Sequence, residues 1–123
     1  MVDTVSDSHP TFDSVLDLCR NQHRRIVLGI LVAEQRSVTL NDLIEGVFKY
    51  NHHTPPTEAS EDVLSKTRNS LSHHHLPKLA SEGLIIYEPD REHVEATEQL
   101  EEVQPVVSTI LDADPELEAP IEL

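Results

Sequence analysis

Apolar positions along this chain recur first with a helical period, then with the tighter period of strands, then helically again. Phe12, Val15, Leu16 and Cys19 come round every three or four residues and predict a first short helix. Asn21 interrupts that pattern and is a good N-cap for a second helix. There His23, Ile26, Val27, Ile30 and Leu31 form an i, i+3, i+4, i+7, i+8 stripe that predicts a core-facing helix to about Glu34, with Gln22, Arg24 and Arg25 on its other face. Arg36-Ser37-Val38 reads as a short extended segment. Thr39, with Asp42 three residues on, predicts a capping box opening a third helix that buries Leu40, Leu43, Ile44, Val47 and Phe48 and ends near Tyr50-Asn51.

Asn51 to Thr57, with its paired histidines and prolines, reads as a loop. Thr57 or Ser60 then caps a long helix carrying Val63, Leu64, Thr67, Leu71, Leu76 and Leu79. Pro77 lies inside it and predicts a bend, because its ring meets the carbonyl of His73 and removes a hydrogen bond. Gly83 stops it, since glycine alone takes the left-handed position after a helix without a Cβ penalty. Leu84 to Tyr87 is a dense run of strand formers, Glu88 to Glu92 a turn, and His93 to Thr97 alternates polar and apolar as a half-buried strand does. The fold class predicted is mainly α with a small β-hairpin.

A helix running straight into a two-stranded hairpin is the second half of a winged helix-turn-helix. The run Ser70-Leu71-Ser72-His73-His74-His75-Leu76-Pro77-Lys78-Leu79-Ala80-Ser81-Glu82-Gly83-Leu84-Ile85 resembles the recognition helix of ArsR- and MarR-type regulators. Those carry a serine, a His-Leu or Arg-Leu pair, a leucine three residues on, and then Gly-Leu-Val/Ile. With its acidic composition the chain is similar to winged-helix domains that haloarchaea encode in large numbers, over roughly residues 12 to 97. The resemblance implies a winged helix-turn-helix that binds double-stranded DNA as a homodimer, with Ser70, His73 and His74 on the outer face of the recognition helix and Leu76 and Leu79 inside. The loop 51–57 is longer than the three or four residues of a minimal helix-turn-helix.

Charge changes the picture. The chain has 23 acids against 9 Lys/Arg, a net charge of −14, which taken alone opposes DNA binding because most affinity for DNA comes from neutralising phosphates. The charges are not spread evenly. Residues 20 to 78 hold eight of the bases and six of the acids, a balance of +2; the remainder holds one base and seventeen acids, a balance of −16. An acid-rich, lysine-poor surface suits molar cytoplasmic salt, where the Debye length falls to roughly 3 Å at 1 M and phosphate repulsion is screened. A halophilic DNA-binding protein is therefore physically reasonable.

On this reading the exposed positions of the recognition helix are Lys66, Arg68, Asn69, Ser70, His73, His74 and Lys78. Arginine pairs bidentately with guanine and asparagine with adenine, while serine and lysine reach phosphates. Arg24, Arg25 and Lys49 are expected to grip the backbone, and Arg91 at the hairpin tip to reach a minor groove, although Glu88, Asp90 and Glu92 surround it. The alternative use of the same face is to dock another protein. Beyond the hairpin, Leu100, Val103, Val107 and Ile110 form an apolar stripe on an otherwise acidic helix, Glu98 to about Asp112, interrupted by Pro105. It either packs onto its own domain or pairs with a second chain.

Other chemistries find less support. Eight histidines include His52-His53 and His73-His74-His75, and Cys19 lies four residues before His23. Neighbouring helical residues point about 100° apart, so three consecutive histidines do not ligate one ion, and no CxxC or HExxH is present. No metal or cofactor is expected. The three glycines are isolated, no nucleophile elbow occurs, and Cys19 sits on an apolar face, so no enzyme is expected. The single cysteine, the lack of an 18-residue apolar run and an N-terminus unlike a signal peptide predict a cytoplasmic protein away from the membrane. The domain organisation expected is a mobile tail at 1–11, a winged-helix domain at 12–97, a helix for packing or dimerisation at 98–112 and a disordered acidic tail at 113–123.

Overall fold

The computed structural model describes residues 11–52 and 56–117. The expected N-terminal tail at 1–10, His53 of the histidine-rich loop, and the last residues, 118–123, lie outside the described residues.

The chain is mainly helical with one small antiparallel sheet. Helices α1 (Phe12–Leu18) and α2 (Gln22–Glu34) lead into strand β1 (Val38–Thr39) and helix α3 (Leu40–Val47), which runs on into a π-helical turn, Phe48–His52. After a 3-10 turn at Pro56–Glu58, α4 (Glu61–Ser70), a second π-helical turn (Leu71–His75) and α5 (Leu76–Ser81) form one continuous helical run. Strands β2 (Ile85–Glu88) and β3 (His93–Ala96) follow, with a 3-10 turn at Pro89–Arg91 between them, and then α6 (Glu98–Glu102) and α7 (Gln104–Ala113). In the sheet, β3 is central, in the order β1-β3-β2, with Val38 opposite Val94 and Tyr87 opposite Val94 on the other side.

The predicted caps close these elements. Asn21 Oδ1 accepts from the Arg24 N–H at the start of α2. Thr39 and Asp42 exchange two hydrogen bonds of about equal length, 3.1 Å each, completing the capping box of α3. Of the two candidates for the long helix, Ser60 is the cap: its hydroxyl accepts from the Val63 N–H at 3.2 Å. At the other end Gly83, with φ of 85°, donates to Ala80 and passes the chain to Leu84, whose N–H reaches back to the Leu79 carbonyl. That pair of bonds is a Schellman stop, and Leu79 and Leu84 are both fully buried beside it.

At Pro77 the regular hydrogen-bond pattern of the helix is interrupted, as expected of a proline. The preceding turn widens to the π form, with the Leu76 N–H bonded to the Leu71 carbonyl five residues back. This extra residue gives the proline ring room and rotates the following turn, so that Leu71, His75, Leu76 and Leu79 all face the core. Pro105 likewise divides the predicted C-terminal helix. The break falls at Val103, two residues earlier, and leaves the proline in the first turn of α7, where its missing N–H costs nothing.

The core is aliphatic and centres on α2, whose Ile26, Val27, Leu28, Ile30 and Leu31 are all buried. α2 touches α3, α7, β3 and both π-helical turns, so it is covered on nearly every side. Its crossing with α3 is close at Gly46, where a Cβ would run into the Cδ1 methyl of Ile30. α7 packs on α2 and α1 and completes the enclosure.

This enclosure bears on two expectations. Of the apolar stripe expected either to pack onto its own domain or to pair with a second chain, Leu100 and Val107 are buried in the core of their own chain, while Val103 and Ile110 are half-buried. The segment after 112, expected to be a disordered tail, is ordered through Leu117, which is buried. Asp114 lies 2.8 Å from Arg25 in an ion pair that joins the end of the chain to α2.

Candidate nucleic-acid interface

The helical run Glu61–Ser81 has one face in the core and one in solvent. Lys66, Asn69 and His73 are exposed and lie at i, i+3 and i+7, a single outward row; His74 is exposed beside it and Ser70 is partly covered. Glu61 and Asp62 occupy the first turn, where they favour the helix through its dipole but place negative charge next to the row.

Arg68 does not point freely outward. Its guanidinium donates to the Glu92 carboxylate at 2.8 Å and to Asn41 Oδ1 at 2.6 Å, tying the long helix to the turn before β3 and to α3. It positions the hairpin against the helix. At the hairpin tip Arg91 is exposed and paired with Glu88 at 3.1 Å, leaving the tip acidic with Asp90 and Glu92. Lys49, expected to grip a phosphate, is exposed with its ammonium 5.1 Å from the centre of the Tyr50 ring.

The largest correction concerns Arg24 and Arg25. Arg24 is only 8% exposed; its Nε donates to the Leu18 carbonyl at 2.7 Å, and its Nη1 lies 3.3 Å from His75 Nδ1. It caps the C-terminal carbonyls of α1 from inside the protein. Burial pulls the Arg24 pKa below the usual arginine value, against the pull of Asp17. Arg25 donates to the Cys19 carbonyl and, through Nε, to Asp114. For Asp114 burial acts upward, but the Glu116 N–H and Arg25 outweigh it and hold the carboxyl below its ordinary value. Neither arginine stands on an exposed outer face of α2 as expected: Arg24 is buried and Arg25 is tied to Asp114 and the Cys19 carbonyl.

Behind the outward row lies a histidine cluster that the sequence pattern only hinted at. His75 is 4% exposed, with ring centroids 4.9 Å from His74 and 5.8 Å from His23, both edge-on. Burial, then the neighbouring Arg24 charge, pushes its pKa down to about 4. His75 is therefore neutral, with Nδ1 accepting from Arg24 and the proton on Nε2. Half-buried His23 has Nε2 3.4 Å from Asn51 Oδ1, and Asn51 also bonds Gln22. Among the described residues no three His, Cys, Asp or Glu are grouped to hold a metal ion. Burial raises the Cys19 thiol pKa, the state of an unreactive core cysteine.

On the far side of His74, an open groove of about 400 Å³ separates the α1–α2 junction from α5. Arg20 and Lys78 flank it, and both approach Asp17, at 3.0 and 4.0 Å. Arg20 is a basic residue that the sequence reading passed over, because it lies at the end of a short helix where no periodicity marks it.

Among the described residues, no helix is long and apolar enough to cross a membrane. No curated protein and no solved structure matches the chain. A family model described as a domain of unknown function matches residues 16–95, from α1 to β3, and on that match the chain belongs to the DUF7344 family.

Proposed function

We propose that this protein is a sequence-specific DNA-binding transcriptional regulator that reads the major groove with the outward face of the Glu61–Ser81 helix. The observation that carries the reading is the solvent-facing row Lys66, Asn69 and His73 on a helix whose opposite face, Leu71, His75, Leu76 and Leu79, is locked into the core. Such a helix presents polar side chains from a rigid support, as base reading requires. The order helix, strand, helix, helix, strand, strand, with β1 paired to β3, supports assigning the fold to the winged helix-turn-helix type. Arg68 holds the hairpin beside the helix, and the acidic tip takes no strong part in DNA contact. A homodimer would set the spacing of two half-sites; half-buried Val103, between α6 and α7, and Ile110 of α7, with exposed Phe12 and Leu16 of α1, are among the apolar positions left for it.

A docking module for another protein is the second reading. It is favoured by the acids that border the same face, Glu61 and Asp62 at one end and Glu88, Asp90 and Glu92 on the hairpin. The two separate in an enrichment of DNA from a random-sequence pool in about 2 M KCl, with Lys66→Ala and Asn69→Ala as controls. A regulator enriches a palindromic site. Loss of the base contact in Asn69→Ala weakens binding by about 1–3 kcal/mol and relaxes one position of that site. A folded, monodisperse protein that enriches no sequence excludes the regulator and leaves the protein-docking reading.

A further inference from the structure

The groove between the α1–α2 junction and α5 is lined mostly by basic and polar side chains. Its walls are Asp17, Arg20, Asn21, Arg24, His74 and Lys78. Three bases face one acid there, on a chain whose net charge is −14. Asn21 caps α2, a helix of 13 residues, so the positive end of its dipole opens on the same space.

A second feature is independent of that helix end. Arg24, 92% buried on the groove's inner wall, has a backbone and imidazole environment: the Leu18 carbonyl at 2.7 Å, the Asp17 carbonyl at 3.5 Å and His75 Nδ1 at 3.3 Å. Among the described residues no carboxylate lies within ion-pair distance of it. A guanidinium has five N–H donors, and these contacts occupy three. A buried guanidinium held by carbonyls and an imidazole, with Asp17 nearby but outside ion-pair distance, gains from the approach of an anion. Arg20, whose side chain is 79% exposed, and Lys78, 40% exposed, stand at the mouth with freedom to reorient toward one.

We propose that this groove binds a phosphate group, held by Arg20 and Lys78 at the mouth, with His74 beside them and the Arg24 charge behind. Asp17 is the built-in competitor: it occupies Arg20 and Lys78 until the anion displaces it. The phosphate comes either from the backbone of DNA lying along the Glu61–Ser81 helix or from a free phosphate. The site stands on its own residues; the DNA reading bears only on the source.

The test is a titration of isotope-labelled full-length protein with inorganic phosphate, exchanged for chloride at fixed ionic strength and followed by NMR. Saturable shifts of the Arg20 side-chain N–H and His74 ring signals are expected, lost in Arg20→Ala and Lys78→Ala and retained in Arg36→Ala. Asp17→Asn removes the competitor and is expected to tighten phosphate by up to about five-fold, the scale of an exposed ion pair. A purely structural role for Asp17 does not produce a gain. Shifts that never saturate, that persist in both alanine variants, or that weaken in Asp17→Asn overturn the proposal.

Duplex DNA then identifies the source. If Arg20→Ala and Lys78→Ala each reduce the salt dependence of DNA binding by about one charge while leaving sequence preference intact, the phosphate is the DNA backbone. If phosphate binds but that slope is unchanged, the ligand is a free phosphate. Failure of the DNA enrichment with retained phosphate binding removes the regulator and keeps the site; the reverse outcome removes the site alone.

Discussion

Two helices share most of the positive charge that made this chain look able to meet DNA, and they differ in how much of it they turn inward. In α2 the paired Arg24 and Arg25 turn inward, one to the carbonyls at the end of α1 and to His75, the other to Cys19 and Asp114. In the Glu61–Ser81 run Lys66 stays in solvent with Asn69 and His73. The same residue chemistry thus serves architecture in one element and surface in the other. What separates them is coverage. α2 is surrounded by α3, α7, β3 and the π-helical turns, so a base on it must find an internal partner; the long helix is covered on one side only. A local excess of positive charge is therefore an upper bound on the charge a partner meets.

The largest effect that would break this comparison is loss of the inward arginines. Removing one partner of a buried ion pair leaves the other charged and desolvated, which costs about 3 kcal/mol or more. Arg25→Ala and Asp114→Ala are each expected to lower unfolding free energy by about that amount, measured by guanidinium titration. The double variant should lose less than the sum, because the two share one interaction. If Arg25→Ala leaves stability untouched, the end of the chain does not hold α2 in solution and Arg25 returns to the surface as a candidate contact.

Acid tests the same inward set through His75. Its pKa in the folded protein, about 4, lies below the ordinary histidine value near 6.5, so the unfolded chain binds the proton first. The stability that goes with neutral His75 is complete above about pH 6.5 and falls as the pH drops toward 4, by about 3 kcal/mol in all. Asp114, whose pKa is also lowered, contributes stability that is present above the unfolded carboxylate value and lost as the pH falls through its own lower one. Unfolding free energy measured against pH should therefore fall in two stages, and His75→Leu should flatten the first of them while leaving the second. An unchanged slope between pH 6.5 and 4 in that variant would mean that the histidine is solvated.

Local signals were legible in the chain; long-range ones were not. Thr39 with Asp42, Asn21, and Gly83 before Leu84 each act within a few residues, and the elements they bound fall where the pattern put them to within a residue or two. Arg24 lies off the apolar stripe of α2 by periodicity, yet it is buried, because periodicity assigns one solvent face to every helix and α2 has none to speak of. The partner that covers Arg25 is Asp114, 89 residues away. Leu117, inside a run of acids and prolines, carries no local mark of burial at all. Pro77 was visible as a disruption, but the widened turn that accommodates it depends on what the rotated turn can bury, here Leu76 and Leu79. Leu100 and Val107 were legible as apolar and helical; which surface they would meet was not.

Gly83 offers an effect of intermediate size. With φ at 85° it sits where a Cβ is strained, and Gly83→Ala is expected to cost about 1–2 kcal/mol. Thermal melting reads the loss, and hydrogen exchange should show it concentrated in the last turn of α5 and in β2. If the whole protein destabilises evenly, the helix stop is part of the global core and not a local device. If nothing changes, the Schellman bonds from Gly83 and Leu84 do not form in solution.

The smallest effects belong to the outward row, and their smallness is the point. Lys66→Ala, Asn69→Ala and His73→Ala remove exposed side chains from a helix in which alanine is the better former, so each is expected to change unfolding free energy by less than about 0.5 kcal/mol. Additivity should hold for the triple variant, which remains as stable as the parent while its outer face is blank. That variant is the cleanest probe of what the helix does, because any binding it loses is lost for want of contacts and not for want of a fold. Should one of the three cost 2 kcal/mol, that side chain has a structural partner, the row is part of the architecture as Arg24 is, and the contrast between the two helices disappears.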